Sequence, residues 1–98
     1  MKLTTEKAIR SFLNHKNATI SNTAVIDDRL YLFGNCIAKL ENDDLYVRIY
    51  YNSNTTRERL NGFSEFGYNI RVNQKNWMPY INGQEITDDM AWHKIEKI

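Results

Sequence analysis

Short strand-like runs separated by turn residues most constrain how this chain can fold. Residues 23–26 and 29–33 are rich in β-branched, aliphatic and aromatic side chains, and only Asp27-Asp28 separates them. Two residues between two such runs predict a tight antiparallel hairpin. After an interruption at Gly34-Asn35, residues 36–40 predict a third strand. The chain is therefore expected to build an antiparallel sheet.

A further strand is predicted after the acidic turn at 41–44, because residues 45–51 alternate between two kinds of side chain. One face carries Leu45, Val47 and Ile49, and the other carries Tyr46, Arg48 and Tyr50. We expect the aliphatic face to be core. We interpret the Tyr-Arg-Tyr face as a candidate partner-binding surface, because aromatic rings beside an arginine can stack on bases or anchor a protein partner.

The carboxyl-terminal third contains a second hairpin signal. Residues 77–81 and 84–86 meet across Asn82-Gly83, a dipeptide that strongly indicates a two-residue hairpin loop. Pro79 cannot donate a hydrogen bond to a ladder, so we expect its strand to lie at a sheet edge or to carry a bulge. Residues 91–95 predict a last strand, with a terminal coil held in place by Trp92 as the alternative.

An amphipathic helix is predicted before the strands, at residues 5–16, with Thr4 or Thr5 as its cap. Its apolar residues at helical spacing are Ala8, Ile9, Phe12 and Leu13. We expect this face to pack on the sheet, and a groove for a partner is the alternative role. The sequence therefore predicts a single α+β domain over residues 1–98, with this helix on a mainly antiparallel sheet of about five or six strands.

A short second helix is predicted at residues 55–62. Thr55 followed by Glu58 is a capping box, and Gly62 can supply the left-handed residue that ends the helix. So short a helix is not stable alone in water, so we expect Leu60 to hold it against the sheet.

Three polar residues of this short helix form the second candidate partner-binding surface, and they are Arg57, Arg59 and Asn61. If Leu60 faces the sheet, these side chains face elsewhere. Two interpretations stay open: a structural connector with solvated arginines, or a recognition surface for an anionic partner.

Few residues of this chain are suited to catalysis. Thirteen basic and twelve acidic residues give a net charge of +1, which carries no electrostatic signature and disfavours a mimic of DNA charge. We expect Cys36 to be a buried hydrophobe rather than a nucleophile, and His15 and His93 lack metal-ligand spacing. We predict a protein that is not an enzyme and that has no catalytic residues, metal or cofactor.

No segment approaches the roughly 20 consecutive apolar residues of a membrane span. The amino terminus carries charge but no apolar run that could serve as a signal peptide. We therefore expect no membrane association and a cytoplasmic location.

Five stretches of the sequence carry a recognisable pattern, and they are residues 34–38, 44–47, 54–62, 70–75 and 80–83. Together they resemble a family of small proteins encoded mainly in bacteriophage and prophage genomes. The resemblance runs from about Leu30 to Trp92, and its most specific element is the Thr-Thr-Arg-Glu-Arg-Leu-Asn tract. The chain departs from the pattern at 75–80, where the resemblance implies a strand without proline. It implies no functional residues, only a phage accessory protein that meets a host target.

The leading hypothesis is a non-enzymatic binder that inhibits or modulates a host protein or ribonucleoprotein complex, for instance a CRISPR effector. The alternative is a nucleic-acid-binding protein with one basic face, formed by Arg48, Arg57, Arg59, Arg71 and Lys75. A third reading is a structural subunit that assembles through an exposed strand.

Overall fold

The computed structural model describes residues 1–98 and contains two α-helices, one 3-10 helix and nine strands. In chain order they are α1 (Leu3–Leu13), β1 (Ala18–Ile20), β2 (Thr23–Ile26), β3 (Arg29–Leu32), β4 (Asn35–Glu41), β5 (Asp44–Val47), α2 (Asn54–Asn61), the 3-10 helix (Gly62–Phe66), β6 (Val72–Lys75), β7 (Met78–Ile81), β8 (Gln84–Glu85) and β9 (His93–Ile95). The predicted α+β class is confirmed. Neither α-helix has the length and apolar content that a membrane crossing requires.

Six strands form one antiparallel sheet in the order β1-β2-β3-β4-β5-β9. Strand β9 returns from the end of the chain to pair with β5, with Ile95 opposite Leu45. The last strand and the strand number of the main sheet are thus confirmed. Strands β6, β7 and β8 form a separate three-stranded antiparallel sheet, which the sequence did not predict.

Five hairpins close through two-residue loops in which both residues have positive φ. These loops are Asp27-Asp28, Phe33-Gly34, Asn42-Asp43, Asn76-Trp77 and Asn82-Gly83. Such type I′ loops match the right-handed twist of the flanking strands, which explains why the predicted hairpins at the first and last loops are confirmed. Phe33 and Trp77 are exceptional in this conformation, because bulky side chains rarely adopt positive φ.

Helix α1 lies closer to the amino terminus than the predicted residues 5–16. Its N-cap is Lys2, which makes no side-chain cap bond, and Thr5 is buried inside the first turn rather than capping it. The helix stops before the predicted end, and His15 adopts a φ of 56° and contacts Asp28. The predicted core face is confirmed by the burial of Ala8, Ile9 and Phe12.

Helix α2 differs from its prediction at both ends. Its N-cap is Ser53, whose Oγ accepts from the amide three residues later at 3.1 Å, so the capping box of Thr55 and Glu58 is wrong. The Glu58 carboxylate turns to α1 instead. Gly62 has a φ of −58° and continues into the 3-10 helix, and the left-handed residue is Gly67 with a φ of 91°.

Pro79 lies in β7, the central strand of the small sheet, so the prediction of an edge strand or a bulge is wrong. The amide of Ile86 donates to the Pro79 carbonyl at 2.9 Å, which places that carbonyl on the β8 side. In an antiparallel pair the nitrogen of Pro79 faces β8 as well, but proline has no N–H to donate to that strand. Strand β8 accordingly ends at Glu85, one residue before this position.

One hydrophobic core joins both helices and both sheets. Ile9, Leu60 and Ile81 belong to the same cluster as Val25 and Val47 of the main sheet. The α-helices therefore cover one face of the six-stranded sheet, and the small sheet packs against α2. Its other face, which we call the outer face, has no layer of helices or strands on it, as antiparallel sheets allow.

Strand β5 is shorter than the predicted run of residues 45–51, because pairing stops at Val47 and Tyr50 has a φ of 59°. The alternation continues beyond the strand nevertheless. Leu45, Val47 and Ile49 are all buried, as the pattern predicts. Cys36 is buried as expected, and it lies opposite Tyr31 of β3.

Candidate interaction surfaces

Arg59 does not lie on a surface, contrary to the expectation that it faces away from the sheet. Only 5% of it is exposed. Its Nε donates to Thr23 Oγ1 at 3.0 Å, its Nη2 to Asn22 Oδ1 at 3.1 Å, and its Nη1 to Thr5 Oγ1 at 2.7 Å. It also pairs with Glu58. The side chain thus links α2 to α1 and β2 from the interior, and a basic face that includes it does not form.

Asn61 is occupied by the backbone of the small sheet. Its Nδ2 donates to the Val72 carbonyl at 2.8 Å, and its Oδ1 accepts from the Val72 amide at 2.6 Å. The amide group therefore acts as the missing neighbour of β6, whose backbone would otherwise lack a partner on this side. Half-buried and fully engaged, Asn61 positions α2 rather than offering free hydrogen-bonding groups.

Of the three residues of this predicted surface, Arg57 is the one that borders solvent and keeps unused hydrogen-bond donors. Its guanidinium donates to the side-chain oxygens of Asn52, Asn54 and Gln74, the last at 3.2 Å. No carboxylate pairs with it, whereas Arg10 and Arg59 both have acidic partners. Arg57 is therefore a half-buried cation surrounded by neutral amides.

An open groove with a volume of about 490 Å³ lies beside Arg57, and we call it the Arg57 groove. Its principal lining residues are Tyr51, Asn54, Arg57, Gln74, Trp77 and Asp89. The two aromatic residues are the most exposed part of the lining, with Trp77 87% and Tyr51 70% exposed. A second concave surface runs from Arg57 along α2 and β6 to Glu65 and Met1.

The outer face carries the other predicted residues in a stack of rings and cations. The guanidinium carbon of Arg48 lies 4.2 Å from the ring centroid of Trp92 and 5.3 Å from that of Tyr50. Arg48 Nε also donates to the Cys36 carbonyl at 2.9 Å. The amine of Lys39 lies 4.5 Å from the centroid of Trp92. The Trp92 ring therefore contacts two cations at once.

Tyr46 borders the same cluster, because Lys39 Nζ lies 5.6 Å from the centroid of its ring. Lys39 is neutralised by Glu41 at 2.9 Å, but Arg48 has no acidic partner. We call these five half-buried residues the outer-face cluster: Lys39, Tyr46, Arg48, Tyr50 and Trp92. The structure thus brings Tyr46, Arg48 and Tyr50 together and separates them from Arg59 and Asn61.

Sequence reasoning missed Trp92 and Trp77. The position of Trp92 depends on β9 pairing with β5, a contact between residues almost fifty positions apart, for which no local signal exists. Trp77 carries a local signal, since Asn76-Trp77 separates two strand-like runs by two residues, the spacing of a type I′ loop. Exposure of its ring at the tip of that hairpin follows from the spacing.

Three titratable side chains meet at His15. His15 Nδ1 lies 2.8 Å from Asp28 and its Nε2 lies 3.5 Å from Asp43, so the ring bridges two hairpin loops. The hydrogen bond and the charge of Asp28 raise the pKa of His15 above its ordinary value. Nowhere do three or more His, Cys, Asp or Glu side chains converge as a metal would require.

Comparison with known proteins gives one family. The model of the Kyanoviridae Gp96 protein family matches residues 1–96. The match extends over α1, which the resemblance seen in the sequence had left out, and it confirms the phage context. No curated protein and no solved structure matches the chain. Because the match spans nearly the whole sequence, the chain belongs to the Kyanoviridae Gp96 family of phage proteins.

Proposed function

We propose that this phage protein is a non-enzymatic binding protein that inhibits or modulates a macromolecular complex in the host cytoplasm, for instance a defence complex such as a CRISPR effector. The family supports the setting, because an accessory protein of a phage meets host components.

The observation that carries this proposal is the outer-face cluster on an uncovered sheet face. Tyr, Trp and Arg are the residue types that most often dominate the energetics of protein interfaces. Arg48 combines with Trp92 and Tyr50 within 5.3 Å here, and no acidic side chain competes for its charge. A partner surface with a complementary carboxylate or aromatic group would meet all three at once.

The cluster is also held in place before any partner arrives. Arg48 is held by the neighbouring rings of Trp92 and Tyr50 and by the Cys36 carbonyl. Lys39 is held by Trp92 and Glu41. Side chains that are already immobile lose little conformational entropy on binding. This preorganisation supports the outer face over the exposed ends of flexible side chains elsewhere.

Affinity capture of the tagged protein from a host lysate, with and without nuclease, followed by mass spectrometry, tests the proposal. A stoichiometric protein or ribonucleoprotein complex is the expected result. Failure to recover any stoichiometric host component would overturn it.

A pair of tyrosine variants then tests the surface. We expect Tyr46→Ala to weaken the captured complex about tenfold or more, as for an interface anchor. Tyr80→Ala is the matched control, since Tyr80 is also half-buried with a lysine amine near its ring, at 5.5 Å, but lies in β7 outside both the outer-face cluster and the Arg57 groove. Equal binding by both variants would remove the outer-face cluster from the contact surface.

Direct nucleic-acid binding through the same face is the second candidate. The observation that favours it is that Arg48 lacks an acidic partner, while Tyr46 and Trp92 offer rings for stacking. The net charge of +1 opposes it. Its signature is a steep decrease of affinity with salt, and each lost phosphate contact should reduce the slope by about one. Affinity independent of salt would exclude this candidate.

A further inference from the structure

The Arg57 groove is lined by hydrogen-bond donors. Arginine has five N–H donors and no acceptor, so every amide group that contacts Arg57 must present its oxygen to it. Three bonds to Asn52, Asn54 and Gln74 leave part of the guanidinium free. The Asn54 and Gln74 NH2 groups have no partner in the fold, so they remain available to a ligand.

The acceptors available to this donor set are few. Asp89 is the one carboxylate in the groove lining, and its side chain makes no hydrogen bond or ion pair. Its backbone carbonyl is fixed by the amide of Tyr50 at 2.8 Å. The groove therefore combines a cationic, donor-rich wall with a single acidic group, and it suits a ligand that has an anionic end and a few hydroxyl or amino groups.

Two aromatic rings flank this polar wall. Trp77 occupies a hairpin loop with a φ of 67°, a strained backbone for so large a side chain. Asn52 Nδ2 donates to the Trp77 carbonyl at 3.2 Å and to Gln74 Oε1 at 3.1 Å, so one amide ties the loop to the Arg57 network. The loop thus holds an exposed indole beside the donors. Flat aromatic ligands stack on such rings.

We propose that the Arg57 groove binds a nucleotide unit, either a free nucleoside 5′-monophosphate or one residue of a single-stranded nucleic acid. The phosphate accepts from Arg57, Asn54 and Gln74, and the base contacts the rings of both Trp77 and Tyr51. The Asp89 carboxylate accepts from a ribose hydroxyl or an exocyclic amine. This site shares no residue with the outer-face cluster, so the proposal stands independently of the host-complex function.

The dimensions of the groove favour a nucleotide over a protein partner. Pockets for small ligands have volumes of several hundred Å³, and this open groove has a volume of about 490 Å³. A stable protein interface needs a patch of about 800 Å² per partner, with an apolar centre rather than a wall of amides.

Fluorescence of Trp77 tests the proposal directly. The protein has two tryptophans, so Trp92→Phe leaves Trp77 as the only reporter. We expect saturable quenching by adenosine 5′-monophosphate or by a short single-stranded oligonucleotide. Quenching by the monophosphate identifies a free nucleotide site, and quenching by the oligonucleotide alone identifies a strand-binding site. Adenosine and inorganic phosphate should each bind about tenfold or more weakly, because each supplies half of the contacts.

Two variants and a control distinguish loss of ligand binding from loss of the fold. Tyr51→Ala and Arg57→Gln should each weaken binding about tenfold, whereas Phe33→Ala, which removes an exposed ring from a loop of the same type, should leave binding unchanged. Chemical shift perturbation on the unmodified protein gives a second readout in case Arg57→Gln loses its fold. Absence of saturable binding by both ligands, equal affinity for adenosine, or unchanged binding in Tyr51→Ala would overturn the proposal.

Discussion

The guanidinium of Arg59 donates to Thr5 Oγ1 at 2.7 Å across 54 positions of the sequence. Thr5 Oγ1 in turn contacts the Glu58 carboxylate at 2.6 Å. The first turn of α1 and the middle of α2 are therefore joined by a hydroxyl that both accepts from a cation and donates to an anion. Such charge-assisted bonds are stronger than bonds between neutral groups.

Arg59→Ala should lower the free energy of unfolding by about 3 kcal/mol or more, because it leaves Thr5, Thr23 and Asn22 without a buried donor. Urea denaturation followed by circular dichroism measures the loss. Arg10→Ala is the control, since Arg10 is exposed where it pairs with Glu6 and lies over the Phe66 ring, and it should cost less than about 1 kcal/mol. A similar cost for both variants would contradict the buried role of Arg59.

Gly62→Ala should destabilise the fold by about 1 to 3 kcal/mol through overpacking against α1. A Cβ on residue 62 would lie 2.5 Å from Thr5 Cγ2 and 2.7 Å from Ile9 Cδ1, while its φ of −58° suits alanine. Thr5→Ser removes Cγ2 and keeps the hydroxyl that Arg59 and Glu58 need. In a double-mutant cycle, the alanine should therefore cost less in the Thr5→Ser background. Strict additivity would rule out this clash as the cause.

Asn61→Ala should destabilise the protein by about 2 kcal/mol, because the amide and carbonyl of buried Val72 lose their partners together. Hydrogen exchange should report the same loss locally, as faster exchange of the Val72 amide. Asn73→Ala serves as control, since the Asn73 side chain makes no hydrogen bond in the fold. Unchanged exchange at Val72 in Asn61→Ala would argue against the bridging role.

His15 should make stability depend on pH. Its hydrogen bond to Asp28 raises its pKa in the folded state above 6.5, so the protonated ring stabilises the fold. That contribution is complete below pH 6.5 and is lost as the pH rises through the raised pKa. The thermal midpoint, followed upward from pH 6.5, should show this loss in the wild type and lack it in His15→Asn.

The variants Asp28→Asn and Asp43→Asn separate the contributions of the two carboxylates to the raised pKa of His15. Asp28 supplies the hydrogen bond and the larger charge effect, and Asp43 contributes least. An NMR titration of the His15 ring should therefore show most of the shift lost in Asp28→Asn and little lost in Asp43→Asn. The reverse order would mean that the 2.8 Å contact with Asp28 is not the dominant one.

Local chemistry explains what could be predicted. Asp27-Asp28 and Asn82-Gly83 each join strands that adjoin them in sequence, so the loop length alone determines the pairing. The alternation of Leu45, Val47 and Ile49 identified the core face even though the strand ends early. These features need no information from distant residues.

The wrong predictions concern residues whose local hydrogen bond is replaced by one to a residue distant in the sequence. Thr55 and Glu58 have the spacing of a capping box, but the Glu58 carboxylate bonds to Thr5, and Ser53 caps the helix. Pro79 predicts an edge strand or a bulge, but it lies in the central strand of the small sheet, which accommodates it because β8 ends one residue before the position opposite it. A local pattern predicts only the bonds that no stronger distant partner takes.

The sequence by itself determined the α+β class, the two-residue hairpins, the aliphatic core face and the resemblance to phage proteins, because each rests on neighbouring residues. Only the tertiary structure decided that Arg59 is internal, that Trp92 covers Arg48, and that Trp77 stands beside Arg57. Each of those contacts joins residues twenty or more positions apart. Their geometry depends on how the sheets and helices pack, so no local pattern encodes them.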